Sequence, residues 1–135
     1  MKADTMMLTA GRSFIRATTV LLSVACFGCE SGAANQPAHG VPGGDPERGR
    51  ALISQYGCGS CHNIPGVRDA HSMVGPPLDH FDRRTYIAGV LPNQLESLTA
   101  WIMDPQKIIP GNAMPNMRVS ARDARNIAAY LYTLR

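Results

Sequence analysis

Cys58, Cys61 and His62 are the residues of this chain whose types and spacing could do chemistry together. They stand in Cys58-Gly59-Ser60-Cys61-His62, two thiols three positions apart with an imidazole directly after the second. A redox dithiol in that spacing calls for a thioredoxin-like βαβ pattern, and no strand pattern in the chain is convincing. A zinc site calls for a second pair of ligands, and no cysteine other than these two lies beyond residue 29. A plain disulfide across two residues leaves His62 without a reason. Covalent attachment of a haem c uses all three residues. The two thiols reach the two vinyl groups on one edge of the porphyrin, and the adjacent histidine lies beneath the iron as proximal ligand. Gly57 and Gly59 are expected to relieve backbone crowding against the ring.

Iron held in this way needs a sixth ligand or an open position. The candidates by residue type are Met114, Met117, Met73, Met103, His71 and His80. Met114 sits in Pro110-Gly111-Asn112-Ala113-Met114-Pro115, a stiff loop that can hold its sulfur close to the ring. Met117 lies three residues on and could substitute. Met103 is expected to pack within a helix, and His71 and His80 to lie on surface loops. A methionine ligand raises the reduction potential of the iron and blocks the site to small substrates. That favours an electron carrier over an enzyme, with at most the role of a subunit in an oxidoreductase complex. The alternative is a peroxidase-like haem enzyme or a sensor with an open sixth position.

The elements that must position these residues begin near Asp45. Asp45-Pro46-Glu47 is a helix start, with Asp at the N-cap, Pro at the first helical position and an acid in the first turn. This helix is expected to run to Gly57, with Gly49, Leu52, Ile53 and Tyr56 on one face. Gly49 weakens it by about 1 kcal/mol relative to alanine, which a close helix crossing would explain. Residues 63–92 are rich in loop formers. A second helix is expected from Asn93 or Gln94 to Met103, with Leu95, Leu98 and Ile102 as its apolar stripe and Trp101 beside it, stopped by Pro105. Residues 104–119 read as irregular. Ser120 then caps a last helix, with Asp123 completing the box and Ala124, Ile127, Ala128 and Leu131 on one face. The reading is all-α: three main helices and long loops. Thirteen glycines and ten prolines in 135 residues support extensive loops, and loops this long need something to organise them. One covalent haem would do so.

Before the domain lies a leader. Lys2, Arg12 and Arg16 precede an uncharged stretch over residues 17–28, the layout of a secretory signal and too short for a comfortable membrane span. Residues 1–29 are read as this signal. Cys29 stands where a lipoprotein signal places its modified cysteine; cleavage near Ser31-Gly32-Ala33-Ala34 or an uncleaved leader are the alternatives. Residues 30–44 are read as a flexible tether that includes His39, and residues 45–135 as the domain. Each version puts the domain in the periplasm or on the extracytoplasmic face of the inner membrane, with association through the leader or a lipid. From Glu30 onward ten basic residues face nine acidic ones. A net charge of +1 carries no clustered basic face of the kind nucleic acid requires.

The domain resembles a class I cytochrome c over residues 45–135. Cys58-Gly59-Ser60-Cys61-His62 matches the attachment motif. Asp104-Pro105 followed by Ile109-Pro110-Gly111-Asn112-Ala113-Met114 resembles the family's ligand loop, with the same step from Pro105 to Met114. The resemblance implies Met114 as sixth ligand. Gly75-Pro76-Pro77-Leu78 resembles the Gly-Pro-x-Leu segment, which implies a Pro76 carbonyl bonded to the proximal imidazole and haem packing by Leu78. It further implies Arg84, and more weakly Tyr86, near a haem propionate, and Gly49 against Tyr130 where the first and last helices cross. The lysine ring common in the family is nearly missing: Lys107 is the only lysine beyond the leader. The ending and the Met114–Met117 loop resemble bacterial cytochromes linked to terminal oxidases or periplasmic dehydrogenases. The partners implied are therefore a terminal oxidase, a quinol-oxidising complex or a periplasmic dehydrogenase.

Overall fold

The structure, a computed structural model, describes residues 40–135. The expected signal over residues 1–29, Cys29 and His39 lie outside the described residues. Helix α1 spans Pro46–Gln55 and starts as the sequence dictates: the Asp45 carboxylate accepts the Arg48 amide at 3.1 Å and Pro46 opens the first turn. It ends through Tyr56 into Gly57, whose φ of +71° is a left-handed conformation that glycine adopts without steric cost. Helix α2 spans Leu95–Met103 and helix α4 spans Ala121–Leu131. The α4 start is a side-chain cap, Ser120 Oγ accepting the Asp123 amide at 3.1 Å.

Two features depart from the sequence reading. Residues 105–108, read as irregular, form a one-turn helix α3 (Pro105–Ile108), because Asp104 caps it by accepting the Lys107 amide at 3.2 Å. There are thus four α-helices among the described residues rather than three, the extra one being a single turn. A short antiparallel pair also forms, β1 (Tyr86–Ile87) with β2 (Leu91–Pro92), joined by Ala88-Gly89-Val90. Two residues per strand are too few to leave a period in the sequence.

The core is built where α1 crosses α4. A Cβ on Gly49 would fall 2.0 Å from the Asn126 carbonyl oxygen, so the crossing depends on glycine there. Leu52 and Ile53 from α1 pack with Ala124, Ile127, Ala128 and Leu131 from α4, and Leu98 and Ile102 of α2 complete the cluster. The Tyr56 hydroxyl donates to Asp123 at 2.9 Å, tying the end of α1 to the first turn of α4. The packed body starts before Asp45: a Cβ on Gly44 would meet that of Ala129 at 2.8 Å, and Val41 packs on the core. The last residues of the expected tether therefore lie on α4. No helix among the described residues is long and apolar enough to cross a membrane.

Candidate haem-binding site

The segment that carries the cysteines is a tight turn. Cys58–Ser60 forms one turn of 3₁₀-helix directly after Gly57, and the Cys58 carbonyl accepts the amides of Cys61 at 3.2 Å and His62 at 3.0 Å. This turns Cys58, Cys61 and His62 toward one cavity of about 400 Å³, which all three line. The sequence reading gave Gly57 and Gly59 one purpose, room for the ring. The structure separates them. Gly57 lines the cavity and is needed for its backbone conformation, while a Cβ on Gly59 would meet Ala70 at 2.8 Å.

His62 is held by the strand of loop beside it. The Gly75 amide donates to the Cys61 carbonyl at 2.7 Å and the Leu78 amide to the Asn63 carbonyl at 2.8 Å. His62 Nδ1 donates to the Pro76 carbonyl at 2.7 Å. In the neutral ring that bond places the proton on Nδ1 and leaves Nε2 with its lone pair, the orientation a metal-binding histidine needs. Gly75 is the position that allows the approach, since a Cβ there would lie 2.6 Å from the imidazole Cε1. Burial pushes the Cys58 thiol above its ordinary range. Redox-active thiols are ordinarily shifted the other way.

Pro76, Leu78 and Met114 also line the cavity. Met117 does too, and it packs against the core cluster, whereas Met114 is not part of that packing. Met73 is 68% exposed and lies outside the cavity. His71 and His80 are exposed, as their loop positions suggested. Met103, expected to be packed, is on the exposed side of α2.

Two residues expected at a propionate do not line the cavity. Arg84 donates from its guanidinium to the carbonyls of Pro77 and Asp79, stacks over Phe81 and lies 3.8 Å from the Asp79 carboxylate. It braces the loop that carries Pro76. Tyr86 is 59% exposed because alternation along β1 turns Ile87, its neighbour, inward instead. Several wall residues carried no sequence signal of their own. Phe81, Trp101, Ile109 and Val119 reach the cavity through loop geometry or from beside a stripe.

This donor set and wall fit a haem c. Two thiols and an imidazole stand on one short turn, a methionine enters from a separate loop, and the lining is mostly apolar. Among the described residues no group of three His, Cys, Asp or Glu side chains converges as a metal site of another kind.

The fold and this site define a small, mostly helical electron-transfer domain. The cytochrome c family model matches residues 46–135, and the chain belongs to that family. Membership makes haem c its cofactor and electron transfer its chemistry. The chain is 38% identical over 89 residues to cytochrome c oxidase subunit 2 of Alkalihalophilus pseudofirmus, covering 65% of this chain and 25% of that protein. It is 34% identical over 88 residues to the subunit of the same name from Bacillus subtilis, again over 25% of its length. The chain thus spans about a quarter of the curated relatives it matches. These relatives correct one expectation. The sequence reading described a carrier and not an enzyme, at most a subunit of one; the matching proteins are named as subunits of an oxidase, which is an enzyme complex.

Proposed function

We propose that this chain relays electrons singly through one haem c, bound covalently by Cys58 and Cys61 and ligated by His62 and Met114, and delivers them to a terminal oxidase on the outer side of a membrane. The observation that supports this most directly is that Cys58, Cys61, His62 and Met114 together line one apolar cavity. When bound, the haem supplies an iron that gains and loses one electron. The chain's residues set the terms of that exchange. His62, donating to Pro76 from Nδ1, would present Nε2 to the iron in a fixed orientation. Met114, as the sixth ligand to the iron, would raise its potential and fill the position a small substrate would need. The apolar lining, including Leu78, Phe81 and Trp101, limits water and so lowers the local dielectric around the iron.

The names of the relatives support an oxidase as the acceptor. A quinol-oxidising complex or a periplasmic dehydrogenase fits as the donor. The charged n-region and apolar stretch in residues 1–29 support an extracytoplasmic site, with residues 30–40 as tether and Cys29 as the candidate lipid anchor.

The purified ferric protein should show the weak sulfur-to-iron charge-transfer band of methionine ligation. Its haem should stay with the chain through SDS denaturation, and the ferrous form should bind carbon monoxide poorly. Met114→Ala should abolish the band, open the iron to carbon monoxide and lower the potential, whereas Met117→Ala should change none of these. Ready binding of carbon monoxide by the unaltered protein would replace the carrier by the open-site reading.

A further inference from the structure

The loop that presents Met114 is held by two side-chain amides. Gln106, on α3, donates from Nε2 to the carbonyls of Asn112 at 2.9 Å and Met114 at 2.7 Å, and its Oε1 accepts the Gly111 amide at 3.0 Å. Asn112 works from within the loop. Its Nδ2 donates to the carbonyls of Pro105 at 2.9 Å and Ile109 at 2.6 Å, and its Oδ1 accepts the Met114 amide at 2.8 Å. Both backbone polar groups of Met114 are therefore bound by these two side chains. The base they work from is rigid: α3 is capped by Asp104, and Pro105 at its first position is buried. A free loop of this length would leave the sulfur to sample many positions. This loop has its peptide groups at residues 111, 112 and 114 tied to one glutamine.

We infer that Gln106 is a positioning residue for the sixth ligand, acting through the backbone of Gly111, Asn112 and Met114 to hold the Met114 sulfur over the iron. The inference rests on Met114 being that ligand. The bond between a thioether and ferric iron is weak enough for added ligands to compete with it. Any loss of loop order then appears directly as easier displacement. Glutamate is the informative replacement, because it keeps the size of the side chain while losing both donated bonds and setting a carboxylate against two carbonyl oxygens. Each lost hydrogen bond is worth a few-fold in an equilibrium, so losing the two corresponds to about tenfold or more in the equilibrium for displacement.

The test is an imidazole titration of the ferric holoprotein, followed through the sulfur-to-iron band. Gln106→Glu should bind imidazole about tenfold more tightly than the unaltered protein and show a weakened band, with unchanged far-ultraviolet ellipticity. Gln106→Ala should behave in the same way. Lys107→Ala, one position along α3 and exposed, should titrate like the unaltered protein. Unaltered imidazole affinity in a folded Gln106→Glu protein would overturn the inference while leaving the ligand in place. If Met114→Ala retains the band, the ligand is not Met114, and the inference falls with that reading whatever Gln106 does.

Discussion

Tyr132 joins α4 to the loop beneath the cavity wall. Its hydroxyl donates to Asn93 Oδ1 at 3.0 Å, and Asn93 in turn donates from Nδ2 to the carbonyls of Phe81 and Arg84. Its ring packs edge-on against Phe81, with centroids 6.0 Å apart. Burial, with a smaller contribution from Glu96, pushes the Tyr132 pKa up to about 12. In the unfolded chain the phenol titrates near 10, so between about pH 10 and 12 the unfolded state has released a proton that the folded state keeps. Stability is thus fully present below pH 10 and falls as pH rises through that window. Tyr132→Phe should flatten the decline of the urea midpoint above pH 10, at a cost of about 1 kcal/mol at neutral pH from the lost hydrogen bond. An unchanged alkaline slope would assign that loss to other groups. At this scale Cys58, Cys61 and His62 stood out because they are contiguous, and Met114 because proline and glycine mark its loop; the structure places all four on one cavity. Gln106 and Arg84 act on backbone carbonyls, which leave no pattern of residue types. Tyr86 is exposed and Ile87 buried because the two residues of β1 face opposite sides, and a strand that short leaves no alternation to read in the sequence.

Among the elements, the crossing of α1 and α4 is the most constrained contact. An alanine in a helix interior is ordinarily better than glycine by about 1 kcal/mol. At Gly49 the added Cβ would lie 2.0 Å from the Asn126 oxygen, a backbone atom that cannot rotate away. Gly49→Ala should therefore destabilise the protein, by roughly 1–3 kcal/mol as overpacked sites do, measured by denaturant unfolding of the holoprotein. A gain in stability would mean that the helices separate at little cost. The helix starts at Asp45 and Ser120 were legible because caps are local chemistry, and the stripes through Leu52, Leu98 and Ile127 because burial has a period. Helix α3 was not, since one turn has no stripe, although its Asp104-Pro105 start repeats the signal that opens α1. The packing of Val41 and Gly44 on α4 was equally hidden, because small residues read as tether whether they are packed or free.

Over the whole molecule the near balance of charge governs encounters. With a net charge of +1 from Glu30 onward, long-range attraction contributes little to association, and salt has little to screen. Oxidation of the ferrous protein by ferricyanide, an anionic probe, should change by no more than about twofold between low and physiological ionic strength. A steep fall with salt would reveal a concentrated positive face. The cavity sets a different condition. Ile53, Leu98 and Ile127 come from α1, α2 and α4, yet all three share its wall. The packing of the three helices and the shape of the cavity thus depend on the same side chains. On the proposed attachment, the two thioether bonds would have to be made while Cys58 and Cys61 are still accessible, before the three helices pack around the ring.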